Sequence, residues 1–189
     1  MPEADAATKT LLGELREHAL VIGDVTLSSG QRASYYVDAR RALLRPAGFR
    51  AAGELLASAA REAGAQAVGG PVMAAIPLAC AAIAVPGGQG LVGFFVRKER
   101  KAHGLQRWVE GPVEAGTRCL VVEDTVTTGG STVSAIERMR EEGLEVVGVV
   151  CVVDRLAGGG DAIADAAGAP FRALVTIDEL YPERPDRRG

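Results

Sequence analysis

"CLVVEDTVTTGGSTVSAI", Cys119 to Ile136, is the stretch from which the rest of the chain can be read. Four apolar residues run without alternation, as in a strand covered on both faces of a parallel sheet. The acids Glu123 and Asp124 close the run. A loop of small polar residues and glycine follows, and a helical pattern begins at Ser131. Strand, glycine loop and helix in this order form the repeating unit of a layered α/β fold, in which ligands bind beyond the carboxyl ends of the strands. The unusual residues of the stretch fall at that edge.

The neighbouring segments repeat the unit. Residues from about Ala4 to Leu20 carry Leu11, Leu12 and Leu15 at helical spacing. "DVTLSSGQRASYYVDAR" then alternates around a Ser-Ser-Gly turn, which predicts a hairpin. Pro46 suits the first turn of a helix that stops at Gly64. "AQAVGG" predicts a short strand and turn, "PLACAAIAV" a buried helix and "LVGFFV" a strand. A polar stretch from Arg97 to Thr117 leads to the strand "RCLVVE", a helix from Ser131 to Glu142 stopped by Gly143, and the strand "EVVGVVCVVD". This is a βαβαβ order with right-handed crossovers. The last part predicts a short helix, a strand and a frayed polar tail.

The 189 residues suit a single domain. We divide it into an N-terminal segment of about residues 1–45, a core of about 46–160 and a C-terminal helix, strand and tail over 161–189. Aromatics make up only 4% of the chain, consistent with an aliphatic, closely packed core. The net charge of −3 argues against a general nucleic-acid binder. Cys80, Cys119 and Cys151 lie singly in apolar runs and read as buried reduced thiols. No apolar run reaches the ~20 residues of a membrane span, and the acidic, amphipathic start does not resemble a signal peptide. The expected location is the cytoplasm, with no membrane partner.

Thr127, Thr128, Gly129, Gly130, Ser131 and Thr132 place hydroxyls and backbone N–H groups at a helix N-terminus, where free amides and the helix dipole favour a phosphate. Taken alone, the run is equally a capped helix start, with Ser131 or Thr132 as the cap. The acids weigh toward a ligand. Carboxylates are poor phosphate partners but good acceptors for vicinal hydroxyls, so acids beside a single-phosphate cradle describe a ribose 5-phosphate. The stretch has neither the lysine of a P-loop nor the G-x-G-x-x-G of a dinucleotide fold. Upstream, "VRKERKAHGLQR" gathers Arg97, Lys98, Arg100, Lys101, His103 and Arg107 in an otherwise acidic chain. It is too polar for core and longer than a usual connection; taken alone it is more often a solvated surface loop, and as a ligand element it reads as a lid that could hold a concentrated anion.

The two acids followed by T-T-G-G-S-T resemble the phosphoribosyl-pyrophosphate signature of type I phosphoribosyltransferases, over about Val25 to Arg155. R-K-x-x-K-x-H-G resembles the catalytic loop of the orotate phosphoribosyltransferases. "TLSSGQRASYYVDAR" is similar to their orotate-side segment, and "VVDR", Val152 to Arg155, to the arginine that receives the orotate carboxylate. The resemblance implies the type I phosphoribosyltransferase fold, an α/β architecture with a mostly parallel central sheet flanked by helices and a small N-terminal hood. It also implies phosphoribosyl transfer from 5-phosphoribosyl 1-diphosphate to orotate in pyrimidine biosynthesis, with Mg²⁺.

Carried over residue by residue, it makes Lys101, His103 and Asp124 catalytic. The diphosphate sugar would be held by Arg97, Lys98, Lys101, His103 and Glu123, by Asp124, Thr125, Val126 and Thr127, and by Thr128, Gly129, Gly130 and Ser131. Orotate would meet Thr127, Arg155 and Tyr36. No direct protein ligand to the metal is expected. The expected partner is a second copy in a homodimer that shares the loop from Arg97 to Gly104. Two positions depart from the pattern. Many relatives carry a lysine in the front turn, where this chain has Ser28, and Tyr-Lys-Gly where it has Met73, Ala74 and Ala75. Arg32 and Arg100 are the candidates to compensate. A purine phosphoribosyltransferase would share the ribose-phosphate loop but not R-K-x-x-K-x-H-G, and a sugar-phosphate-binding regulator of nucleic acid would need a broader basic face. His18 reads as a helix-surface residue and Trp108 as packing at the base of the lid.

Overall fold

The computed structural model describes residues 2–26, 32–100 and 107–187. Helix α1, Pro2–Glu14, passes into one π turn over Leu15–Ala19. The hairpin follows as β1, Leu20–Thr26, and β2, Arg32–Val37, paired antiparallel and separate from the main sheet. After α2, Arg40–Leu43, come α3, Pro46–Glu62, β3, Ala67–Pro71, α4, Ala75–Ala84, and β4, Val92–Val96. The rest of the main sheet is built from β5, Val109–Glu110, β6, Arg118–Val126, and β7, Glu145–Asp154, with α5, Gly130–Glu141, between β6 and β7. The chain then forms α6, Gly159–Ala167, β8, Phe171–Thr176, and α7, Ile177–Leu180.

The six-stranded sheet has the order β5-β4-β3-β6-β7-β8. Every neighbouring pair is parallel except β4 with β5. Strand β5 lies within the polar stretch from Arg97 to Thr117, for which the sequence predicts no element because two residues are too few to show a period. Side chains of β6 alternate between two cores. Leu120 and Val122 pack with Leu56 of α3 and Leu78 of α4 on one face. Cys119 and Val121 pack with Ile136 and Met139 of α5 and Ile163 of α6 on the other. Each fully buried Leu or Ile contributes about 1.5–3 kcal/mol relative to exposure.

Three expectations need correction. Strand β6 does not stop at Glu123 but continues through Asp124 and Thr125 to Val126, with Thr125 opposite Val153 and Val126 opposite Asp154. Pairing with a longer β7 carries it past the point where apolar residues end. Cys80 is exposed, while Cys119 and Cys151 are buried. Burial pushes the Cys119 thiol up to about 12, and burial followed by the charge of Asp154 raises Cys151 as well.

The tail is not frayed over the described residues. The Arg184 side chain, 9% exposed, forms ion pairs with Asp178 and with Asp186, the latter at 3.2 Å. Arg187 Nη1 donates to the Pro182 carbonyl at 3.0 Å. Charge pairing with a helix that precedes it holds a segment whose composition alone looks solvated.

Candidate active site

Strands β6 and β7 end side by side, and the loop of residues 127–129 leads from β6 into α5. Gly129, the residue before α5, has φ +78°, a left-handed conformation that a side chain resists. A Cβ there would lie 2.8 Å from the Gly159 carbonyl oxygen and 2.9 Å from Ile163 Cγ1. The loop therefore sits pressed against the start of α6, and Gly159 N donates to the Thr127 carbonyl at 3.1 Å. Thr127, Thr128, Gly130 and Ser131 are exposed at the mouth. The first N–H groups of α5 have no partner within the helix and are directed toward that opening.

The two acids face opposite sides of the sheet because they are consecutive in one strand. Glu123 is buried at 5% exposure. Its Oε2 accepts from Ser131 Oγ and from Thr132 Oγ1, both at 3.2 Å. Neither hydroxyl caps α5, as the simpler reading of the loop would have it. Burial, then the charge of Asp124, pushes the Glu123 carboxyl up to about 7 against the pull of these bonds. Asp124 is half-buried on the other face. Burial raises its pKa, while the Thr125 amide and the charge of Arg40 act in the opposite direction. Arg40 Nε is held by Asp38 Oδ1 at 2.9 Å. Asp38 and Arg40 close the segment TLSSGQRASYYVDAR but were not singled out within it, since only folding brings them to Asp124. Thr125 is half-buried and Val126 is buried.

Arg155 follows β7 directly. Its amide donates to the Val126 carbonyl at 2.9 Å, which fixes it beside the start of the loop. Its guanidinium lies over the Tyr35 ring, with the central carbon 5.4 Å from the ring centroid. Tyr35 is buried, and its strand neighbour Tyr36 is half-buried on the other face of the hairpin. The ring beneath Arg155 is thus Tyr35 and not Tyr36, while Tyr36 lies near Arg40.

Arg97 and Lys98 stand just beyond β4. Arg97 N donates to the Trp108 carbonyl at 2.9 Å, and Arg97 Nη1 lies 3.5 Å from Glu110 Oε1. Arg138 of α5 donates to the Arg97 carbonyl at 3.0 Å. Arg100 pairs with Glu141 at 2.9 Å, and both Arg100 and Arg138 stack on the Trp108 ring, at 5.1 and 4.5 Å. Trp108 is half-buried. Its Nε1 donates to Glu141 at 2.8 Å, and its backbone N–H donates to Glu142.

Arg100 and Trp108 are therefore anchored at the carboxyl end of α5, about 18 Å of helix from the loop. A cavity of about 340 Å³ opens there beside Trp108, Glu141 and Arg100, at the far end of α5 from the carboxyl ends of the strands. Arg100 is committed to that end, whereas Arg32 is exposed on β2. Lys101, His103 and Ser28 lie outside the described residues. His18, with its side chain 22% exposed, stands 3.9 Å from Glu14 and 3.6 Å from Glu17.

A mostly parallel sheet with an acidic strand end, a glycine loop at a helix head and helices on both faces is the framework of a phosphoribosyl transferase, and the phosphoribosyl transferase domain family matches residues 40–168. The chain is 47% identical over 177 residues to an orotate phosphoribosyltransferase of Corynebacterium glutamicum, covering 93% of this chain and 95% of that protein. It superposes on an orotate phosphoribosyltransferase of Mycobacterium tuberculosis with a TM-score of 0.84 at 41% identity, over 93% of this chain and 99% of that one. The same Mycobacterium protein in complex with 5-phospho-alpha-D-ribosyl 1-diphosphate gives 0.79 at 36% identity, over 92% and 98%. The chain belongs to the orotate phosphoribosyltransferase family and is a pentosyl-transferring enzyme. Among the described residues, no helix is long and apolar enough to cross a membrane.

Proposed function

We propose that the mouth of β6 and β7 is where this chain moves the phosphoribosyl group from 5-phosphoribosyl 1-diphosphate to orotate, giving orotidine 5′-monophosphate and pyrophosphate. The observation that carries this reading is the bond from Arg155 N to the Val126 carbonyl, 2.9 Å. It puts a planar cation suited to a carboxylate directly beside the loop suited to a sugar phosphate.

A ring nitrogen of orotate forms its bond to the anomeric carbon as the bond from that carbon to the diphosphate oxygen breaks. Positive charge develops on the sugar and negative charge on the departing group. Asp124 is the carboxylate available to the ribose hydroxyls and to the cationic sugar. Glu123, already bonded to Ser131 and Thr132, holds the head of α5 in place. The amides and hydroxyls from Thr127 to Ser131 receive the 5-phosphate, with Thr125 and Val126 shaping the approach. Arg97 and Lys98 from the end of β4, with Lys101 and His103, hold the pyrophosphate. Thr127 and Arg155 hold orotate, and Tyr36 lies toward the same mouth.

Among the described residues, no group of three or more His, Cys, Asp or Glu could hold a metal ion. The acids at the mouth supply only oxygens, and one of them is committed to hydroxyls. That set fits Mg²⁺, a hard cation that keeps its waters and arrives largely on ligand oxygens, and Asp124 is the side chain that would steady it through those waters. When bound, Mg²⁺ neutralises diphosphate charge. Residues 1–45 serve as a hood over the base, and the loop from Arg97 to Gly104 completes the site of a second subunit in a homodimer.

The test is the loss of orotate absorbance on adding 5-phosphoribosyl 1-diphosphate and Mg²⁺, with adenine, guanine and uracil as controls. We expect a signal with orotate alone. A signal with a purine alone, or with no base, refutes the reading.

A further inference from the structure

We infer that the C-terminal segment from Tyr181 to Asp186 is a positioning device for Arg155, acting through Tyr35, and that it sets how well the enzyme binds the carboxylate of its base. The inference rests on the proposed role of Arg155 as the partner of that carboxylate.

Arg155 Nε is buried without a hydrogen-bond partner. Among the described residues no carboxylate forms an ion pair with the guanidinium, so the Tyr35 ring at 5.4 Å is its support. A guanidinium binds a carboxylate through two parallel bonds only if its plane is held, and a long side chain otherwise loses rotamer freedom on binding. Stacking on an aromatic face fixes that plane while leaving the donor edge open.

Tyr35, 4% exposed, is in turn fixed from the far end of the chain. Its hydroxyl donates to Asp186 Oδ2 at 3.0 Å. The Tyr181 ring meets it edge-on, with centroids 5.4 Å apart and planes at 80°. The other oxygen of Asp186 lies 3.2 Å from Arg184 Nε, and Arg184 is tied to Asp178 of α7. The result is a continuous chain of contacts from α7 through the tail and the hairpin to the guanidinium. An isolated tail of this composition would have no reason to order, but its charges and its Tyr181 ring are spent on the residue beneath Arg155.

The test is steady-state kinetics of Asp186→Ala, Asp186→Asn, Tyr35→Phe and Arg155→Ala, and of the Asp186→Ala/Arg155→Ala double variant. Removing the hydroxyl anchor should raise the KM for orotate about 2- to 10-fold, the cost of immobilising one long side chain, and leave kcat and the KM for 5-phosphoribosyl 1-diphosphate nearly unchanged. Asp186→Asn keeps an acceptor for the Tyr35 hydroxyl and should restore most of the orotate affinity. In the Arg155→Ala background, Asp186→Ala should have no further effect on orotate, which a merely structural role for the tail would not predict. The inference is overturned if Asp186→Ala leaves the KM for orotate unchanged, or if both KM values and kcat move together. If Arg155→Ala itself leaves orotate binding unchanged, the underlying reading of Arg155 fails instead.

Discussion

Replacing Glu123 with Gln should change how stability depends on pH. Glu123 is 5% exposed, and its carboxyl is pushed up from 4.5 to about 7, chiefly by burial and then by Asp124. Because the folded value lies above the unfolded one, the fold favours the protonated acid. Its contribution is fully present below about 4.5, is lost as pH rises toward 7, and is level beyond that. At about 1.4 kcal/mol per pH unit, the whole difference is on the order of 3 kcal/mol, most of which falls between pH 5 and 8. Gln is neutral throughout and keeps an oxygen for the Ser131 and Thr132 hydroxyls. Its packing cost, whatever the size, is the same at both ends of the range. The Tm of Glu123→Gln minus that of the parent should therefore rise by roughly 5–10 °C from pH 5 to pH 8. Calorimetry of the ligand-free proteins at four pH values reads this directly. A difference that stays constant, or that shrinks with rising pH, refutes the picture of a carboxylate strained by burial.

Gly129→Ala should cost about 2–4 kcal/mol in urea unfolding, combining a left-handed residue with a Cβ forced against the Gly159 carbonyl. A loss below about 1 kcal/mol would show that the loop yields freely. Asp124→Asn should weaken binding of 5-phosphoribosyl 1-diphosphate in calorimetry by about tenfold, about the size of one charge-assisted hydrogen bond, and unchanged affinity would remove Asp124 from the ribose. Lys101→Ala should lower kcat by at least about 100-fold if it stabilises the departing charge, with Tm unaffected. Near-normal turnover would end that assignment.

Much of the sheet was legible because its signals are local. Apolar runs without alternation mark β3, β6 and β7, and Pro46 and Gly64 bracket α3 closely. The T-T-G-G-S-T loop announced both its backbone and its position at a strand end. The limits of that reading are equally physical. The end of β6 was placed too early because the acids at 123–124 are disfavoured in strands, and only pairing with β7 carries the strand past them to Thr125 and Val126. The acids read as one pair, yet strand alternation sends Glu123 toward α5 and Asp124 toward Arg40.

By itself the sequence determined the α/β class, the site's edge of the sheet and the family resemblance, since all three rest on residues close together in the chain. Tertiary structure alone decided that Ser131 and Thr132 bond to Glu123 instead of capping α5. It also placed Tyr35, not Tyr36, beneath Arg155, and it ordered a tail that composition marks as solvated. Tyr35 and Asp186 are 151 positions apart. No local propensity encodes such a contact, and only the packing of the hairpin against α7 and the tail brings the two within hydrogen-bond reach.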